Sequence, residues 1–442
     1  MASPTTVFPE ITSSVAALRA SFATNKTKAV SWRRKQLLSL YKFLSSNENL
    51  IQQVLFKDLH RPPAEVSSEL VSTINEVVYA LNNLSDWTKP VPCEKNPATL
   101  LDVIETRQEP LGVVLIISPF NYPVNLLVAP LVSALAAGNC VVLKPSEVAS
   151  HTEQMWVEWV PKLFDSSCVK VVTGGIQETK WLLEQRLDKV FFTGSTTVGK
   201  SIAQTCAKNL VPLALELGGK CPVYVDESAN IPVIARRIAW AKCMNNGQIC
   251  LAPDYILAHT SVAAKLSSSL RASFKEFYSA NPRASKEYGR LINRNHTQRV
   301  AKLLARQTAQ AHSKVECGGE YSVEECFVAP TVISGVKPTD PLMEEEIFGP
   351  VVGIVQVSSV DEALNAINAR ERPLSIYVCT ESKSVVDKFA SSTSSGSLLV
   401  NDFYFNMTLE DMPFGGIGYS GIGKCHGHAG FLGTSSDLFY IN

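Results

Sequence analysis

Two runs, Gly112-Val113-Val114-Leu115-Ile116-Ile117 and Cys140-Val141-Val142-Leu143-Lys144, decide how this chain folds. Both are apolar almost throughout instead of alternating, so each predicts a strand covered on both faces. Between them, residues 124–137 are long and apolar enough for a buried helix. Strand, helix, strand at this spacing predicts a parallel crossover unit. Working outward, short apolar runs at 169–172, 189–193 and 212–216 predict further strands, with helices at 153–164 and 198–209 between them. Such a sheet binds ligands at the carboxyl ends of its strands. Beyond Glu216 a second α/β region opens with a strand at 222–225 and a helix at 231–244, and alternation continues to about Val400. Upstream, residues 32–46 and 66–87 carry apolar residues at helical spacing. A proline-punctuated break comes next at 90–97, and 99–107 reads as a strand alternating with charges. The tail, 401–442, is rich in glycine and aromatics. The fold class is α/β, two-lobed with an added arm.

At 442 residues, 45% hydrophobic and 19% charged, the chain can bury a large core. That excludes a disordered or collagen-like protein and a small disulfide scaffold. The 41 Lys and Arg balance 41 Asp and Glu, so no nucleic-acid partner is expected. Met1-Ala2-Ser3-Pro4 lacks the basic start and apolar run of a secretory signal. The most apolar stretch, 126–143, is interrupted by Pro130 and Gly138-Asn139, which predicts a buried helix and strand instead of a membrane span. Phe439-Tyr440-Ile441-Asn442 carries no lipidation or retention signal, so no membrane anchor is expected. The 11 cysteines, none in a Cys-x-x-Cys pair, then read as reduced thiols of a cytoplasmic protein. Most should fill core, because a free thiol behaves as a small hydrophobe, and one is available as a nucleophile.

Two glycine motifs compete for the role of cofactor loop. Gly416-Ile417-Gly418-Tyr419-Ser420-Gly421 matches the dinucleotide fingerprint, which works by setting a helix N-terminus against a pyrophosphate. The next six residues, Ile422-Gly423-Lys424-Cys425-His426-Gly427, are too glycine-rich to begin a helix, so the segment reads as a turn. Gly194-Ser195-Thr196-Thr197-Val198-Gly199-Lys200-Ser201 matches the phosphate-cradling pattern and lies between a predicted strand and a predicted helix. With the apolar strand that ends on Asp226, it would suit a magnesium-dependent nucleotide hydrolase.

Three further segments carry chemistry. Asn245-Asn246-Gly247-Gln248-Ile249-Cys250 sets a cysteine after a glycine-containing break at the end of a helix. Glu216-Leu217-Gly218-Gly219-Lys220 sets a carboxylate at a strand end, with glycines that admit a close approach. Ser118-Pro119-Phe120-Asn121-Tyr122-Pro123 sets an Asn at the carboxyl end of the sheet's first strand. Nucleophile, base and oxyanion donor are what covalent acyl chemistry requires. Taken one at a time, Cys250 reads equally as core filler, and Asn121 and Glu216 as cap or turn residues.

Together these segments resemble the aldehyde dehydrogenase superfamily. The resemblance spans nearly the whole chain. Besides those three segments it is carried by Lys144-Pro145-Ser146-Glu147, Phe192-Thr193-Gly194-Ser195, Glu346-Ile347-Phe348-Gly349-Pro350 and Pro413-Phe414-Gly415-Gly416, all in the family's order. Ala252-Pro253-Asp254-Tyr255 and the short N-terminal part are similar to the class 3 branch, which oxidises medium- and long-chain or aromatic aldehydes. The resemblance implies a Rossmann-like parallel-sheet cofactor domain (1–97 and 111–215), an α/β catalytic domain (216–397) and a small β oligomerisation or bridging arm (98–110 and 398–442). In that arm, strands near 99–107 and 398–405 would pair between the subunits of a homodimer.

By the same resemblance, Cys250 is the nucleophile, forming a thiohemiacetal and then a thioester. Asn121 and the Cys250 backbone N–H are the oxyanion donors, and Glu216 is the general base for the hydrolytic water. Local positive potential is expected to favour the Cys250 thiolate. NAD is the implied cofactor, with NADP admitted. Lys144 and Glu147 would take the adenosine ribose, Glu346 the nicotinamide ribose, and Phe348 would pack beside the ring. Ser118, Phe120, Ser146, Thr193, Gly194, Ser195, Val198, Gly199, Leu217 and Gly218 complete that surface. Tyr122, Ile249, Thr408, Phe414 and His426 would line the aldehyde pocket, and no metal ligand is implied.

The resemblance assigns 194–199 to the dinucleotide, with Lys200-Ser201 continuing the helix, and so weighs against a hydrolase. Glu216 weighs against a coenzyme-A-acylating relative, which generally lacks a competent base there. The joint presence of Cys250, Glu216 and Asn121 weighs against a catalytically silent member. One departure is Ile249, where the class often has a small polar residue; a bulkier apolar contact would narrow the pocket mouth.

Overall fold

The computed structural model describes residues 5–442; residues 1–4, where the sequence shows no signal, lie outside them. A six-stranded sheet runs in the order Gly421–Ile422, Leu213–Leu217, Lys189–Gly194, Val113–Ile117, Cys140–Lys144, Val169–Val171, parallel throughout except for the first. The two deciding runs are buried at every strand position. Val114 and Ile116 pack into a core shared with the helices Val30–Ser46, Pro63–Trp87 and Asn125–Ala137. Val113, Leu115 and Ile117 face the opposite core, with Phe8–Ala23 and Thr196–Lys208. Each such aliphatic side chain contributes about 1.5–3 kcal/mol on burial, which is why unalternated runs make central strands.

From Val113–Ile117 the chain builds outward to 140–144 and 169–171, then returns to add Lys189–Gly194 on the other side. The strand order therefore reverses between 113–117 and 189–194. That switch point leaves a crevice at the carboxyl ends.

The second lobe is a seven-stranded sheet: Lys314–Cys317, Thr331–Ser334, Val351–Val357, Pro253–His259, Cys221–Val225, Ser375–Cys379, Ser397–Val400, with only the first strand antiparallel. The arm differs from the expectation. Leu398 and its neighbours form the edge strand of this sheet, paired in parallel with Ser375–Cys379, and Phe403 and Tyr404 are buried in the same lobe. The arm is a three-stranded antiparallel sheet of Val91–Pro92, Ile104–Pro110 and Ser435–Ile441. Ser435–Ile441 is exposed at most positions, so it has no buried face to mark it in the sequence.

Two short helices carry no clear signal in the sequence. Ile176–Leu183 is one; the other, Gly427–Gly433, forms despite its glycines because Glu76 accepts the Gly427 N–H (2.8 Å) and anchors its first turn. Among the described residues, no helix is long and apolar enough to cross a membrane.

Candidate active site

Register aligns the first half of the site. Lys144 lies opposite Ile117, Ile117 opposite Phe192, and Thr193 opposite Glu216, so Lys144, Ser118, Thr193 and Glu216 share the sheet's carboxyl edge. Ser118 Oγ, Thr193 Oγ1 and both Glu216 carboxylate oxygens are buried with no hydrogen-bond partner among the described residues. An unpaired buried hydroxyl costs about 1–3 kcal/mol, so a row of open polar atoms at a switch point fits a bound polar molecule such as a dinucleotide. Lys144 is buried and its ammonium donates to the Pro145 carbonyl (2.8 Å) and to Glu147 (3.1 Å), whose carboxylate reaches solvent. Ser146 accepts from the Val148 N–H.

Ser195 caps the helix Thr196–Lys208 by accepting from the N–H of Val198, which is itself exposed. Gly199 packs on Leu217. Phe348 meets Phe120 edge-on, with ring centroids 5.9 Å apart. Gly218 lies against Glu346 so closely that a Cβ there would fall 2.2 Å from Oε2. Burial and the nearby Asp254 push the Glu346 carboxyl up to about 8. The loop carrying Glu346 is braced by an ion pair that spacing did not reveal. Lys220 pairs with Asp254 and donates to the carbonyls of Leu342 (2.7 Å) and Glu345 (2.9 Å), while Asp254 accepts the Ile347 N–H (2.9 Å).

Cys250 follows an irregular turn. After the helix Ile231–Cys243, Asn245 (φ 48°), Asn246 (φ 51°) and Gly247 (φ 70°) are successively left-handed. Asn tolerates this conformation; at Gly247 a side chain would also strike the Gly349 carbonyl oxygen at 2.4 Å. Gln248 locks the turn: its amide donates to the carbonyls of Asn245 (2.9 Å) and Arg290 (3.1 Å), and its carbonyl oxygen Oε1 accepts from Ile292 N–H (2.9 Å). Asn121 donates one amide N–H to the Gln248 backbone carbonyl (2.9 Å), which leaves its second N–H for a ligand.

Cys250 is half-buried beside this turn. Its thiol is pushed up to about 12, chiefly by burial and then by the charges of Glu346 and Glu216, against the N–H groups of Cys250 and Leu251. The expectation of a local positive potential is therefore not met by the protein alone. Burial first, and then the nearby Glu346 and Glu216, favour the neutral thiol. Glu216 is likewise pushed up by burial, to about 8, with Lys424 the main opposing charge.

Tyr122 and Ile249 are buried in one apolar cluster, and Cys250 and Phe414 pack against it. Phe414 also lines a cavity of about 270 Å³ with Leu398, Phe405, Leu409 and Met412. Thr408 sits on an exposed turn with its hydroxyl donating to the Phe405 carbonyl (3.0 Å). His426 is buried with Nδ1 3.1 Å from Glu76, and it approaches this cavity only through its ring contact with Phe414. In the phosphate-cradle look-alike, Lys200 stacks on the Tyr419 ring at 3.6 Å. Asp226 follows the strand Cys221–Val225 of the other sheet and is engaged by Ser228 and Thr380. In the tail glycine motif, Gly421 pairs with Glu216. Among the described residues no group of three or more His, Cys, Asp or Glu side chains is placed to hold a metal ion.

A half-buried thiol, an unpartnered carboxylate and a half-free amide thus gather beside an open switch point, and a sequence profile described as the aldehyde dehydrogenase family matches residues 8–436. This chain belongs to the aldehyde dehydrogenase family. Aldehyde dehydrogenase family 3 member B1 of Bos taurus is 44% identical over 415 residues, covering 94% of this chain and 87% of the relative. The dimeric NADP-preferring aldehyde dehydrogenase of Rattus norvegicus is 41% identical over 422 residues, covering 95% and 92%. Among solved structures, the substrate-bound state of Staphylococcus aureus AldH superposes with a TM-score of 0.94 at 37% identity, covering 97% of this chain and 93% of that one. The similarity to family 3 enzymes agrees with the class 3 branch that the sequence resembles. This aldehyde dehydrogenase has its helices and parallel sheets where the family's enzymes have theirs.

Proposed function

We propose that this enzyme oxidises medium- or long-chain aliphatic or aromatic aldehydes to carboxylic acids through a thioester on Cys250. The observation that carries the reading is Glu216, a buried carboxylate that accepts no hydrogen bond from an N–H or O–H among the described residues, in the same site as the Cys250 thiol. Cys250 loses its proton to solvent, the thiolate attacks the aldehyde carbonyl to form a thiohemiacetal, and its oxyanion takes the free N–H of Asn121 and the Cys250 backbone N–H; departure of the hydride from that carbon leaves the thioester. Tyr122, Ile249 and Phe414 supply apolar contact for the substrate's hydrocarbon. Lys144 and Glu147 hold the adenosine ribose, Glu346 the nicotinamide ribose, and Ser118, Thr193 and the 194–199 turn face the rest of the dinucleotide. An oxidised nicotinamide, when bound, would supply the acceptor for that hydride and a positive charge near the thiol. Glu216 then takes a proton from the water that hydrolyses the thioester. A carboxylate at Glu147 repels a 2′-phosphate, which favours NAD; the rat relative's name records an NADP preference, so both cofactors belong in the test.

We place the enzyme in the cytoplasm as a homodimer joined through the arm sheet; the rat relative is named dimeric. The experiment is reduction of NAD or NADP, followed at 340 nm, with hexanal, a long-chain aldehyde and benzaldehyde, beside Cys250→Ala. Turnover should fall on the order of 10⁴-fold or more in the variant. Equal turnover in the two proteins would refute the covalent route.

A further inference from the structure

Arg61 lies outside the catalytic and cofactor motifs, in the joint between the helices Glu48–Leu59 and Pro63–Trp87. It is 1% exposed, which a guanidinium tolerates only when it is paired and hydrogen-bonded. Nη1 pairs with Glu69, itself buried; Nη2 donates to the backbone carbonyl of Asn121; and the guanidinium lies 4.5 Å above the Tyr122 ring. The Asn121 carbonyl accepts a second bond from the Asn245 side chain (2.8 Å), so both of its lone pairs are engaged. Glu69 uses its other oxygen to accept the N–H groups of Val124 (3.0 Å) and Asn125 (2.9 Å), at the start of the helix just beyond Asn121. One buried ion pair therefore holds the Asn121 loop on both sides.

We propose that Arg61 is a positioning residue for the oxidation. By fixing the Asn121 peptide and the Tyr122 ring, it aims the free Asn121 N–H at the aldehyde oxygen. It touches neither substrate nor cofactor. The inference rests on the reading of Asn121 as an oxyanion donor. A donor contributes to the transition state only within a narrow placement, and a displacement of about 1 Å costs on the order of 10²-fold. Lysine would keep the charge at position 61 but has no planar fork, so its ammonium cannot serve Glu69, the Asn121 carbonyl and the Tyr122 face together.

The test is a double-mutant cycle on the full-length enzyme: Arg61→Lys, Asn121→Ala and the double variant. Rates are expressed per mole of cofactor bound at saturation, so that unfolded protein is not counted. Arg61→Lys should lower kcat on the order of 10-fold to 100-fold with an unchanged cofactor Kd. In the Asn121→Ala background the same change should have almost no further effect on kcat. A purely structural role would lower both backgrounds equally, and that additivity overturns the proposal. If Asn121→Ala itself turns over like the wild type, the donor assignment falls and the proposal falls with it. Wild-type kcat in Arg61→Lys overturns the proposal alone. Should Arg61→Lys fold poorly, Glu69→Gln serves the same cycle: it retains an oxygen for the Val124 and Asn125 N–H groups while removing the charge that orients Arg61. Its loss of kcat should also vanish in the Asn121→Ala background, and an additive loss counts against Arg61.

Discussion

The two halves of the site are built on opposite principles. One half, Lys144, Ser118, Thr193 and Glu216, projects from the ends of parallel strands whose register alone aligns them. The other, residues 245–250, is a turn of three left-handed residues held by side chains distant in sequence: Glu65 accepts the Asn245 N–H (2.9 Å), and Gln248 ties the turn to Arg290 and Ile292. Regular strand ends are robust because every ladder bond contributes to their placement. A strained turn is only as well placed as its tethers, and sites keep such turns where they aim a reactive group. Substitutions on the two halves should therefore fail in different ways.

Apart from loss of the Cys250 sulfur itself, the largest effect is expected on the sheet half. Glu216→Gln should lower steady-state turnover on the order of 10²-fold to 10⁴-fold and leave a single burst of reduced cofactor, measured by stopped flow, because thioester formation survives and hydrolysis does not. In the wild type, the carboxyl raised to about 8 is protonated below that pH and cannot accept a proton, so the hydrolytic rate should rise as pH passes through about 8. Glu216→Gln should flatten that rise; a flat wild-type profile would remove Glu216 from the role of base.

Next comes the turn. Gly247→Ala forces a side chain into a left-handed position and onto the Gly349 carbonyl. Here both the burst rate and the stability should drop, the latter by about 1–3 kcal/mol in urea unfolding from backbone strain alone. A variant as stable as wild type with a normal burst would mean that the turn is not strained. The smallest effect belongs to the sheet half again. Ser195→Ala removes a helix cap and should cost about 1 kcal/mol of stability in urea unfolding, and a variant as stable as wild type would mean that the cap contributes nothing.

Legibility in the sequence divides along the same line. The runs at 113–117 and 140–144 were readable to within a residue, because burial on both faces imposes an unmistakable composition. Cys250, Glu216 and Asn121 were readable as chemical types and through family resemblance, and the fold brings Cys250 and Glu216 close enough for each other's charge to matter. What escaped were features with no local signature. Arg61 and Glu69 look like surface charges on a helical hairpin until the Asn121 loop docks on them. Leu398 to Val400 carry apolar character that suits an arm and an edge strand equally, and only pairing with 375–379 decides between them. The sign of the potential at Cys250 depends on Glu346, which lies about 100 residues downstream.

The pairing of Gly421 with Glu216 also has a consequence during synthesis. The strand bearing Glu216 is made roughly 200 residues before its antiparallel neighbour, an interval of about 10–40 s at ordinary elongation rates. Through that time Leu213–Leu217 is an open sheet edge, the kind of surface that captures stray strands from other chains. The nascent chain therefore carries an aggregation-prone edge beside Glu216 until the glycine turn emerges and covers it.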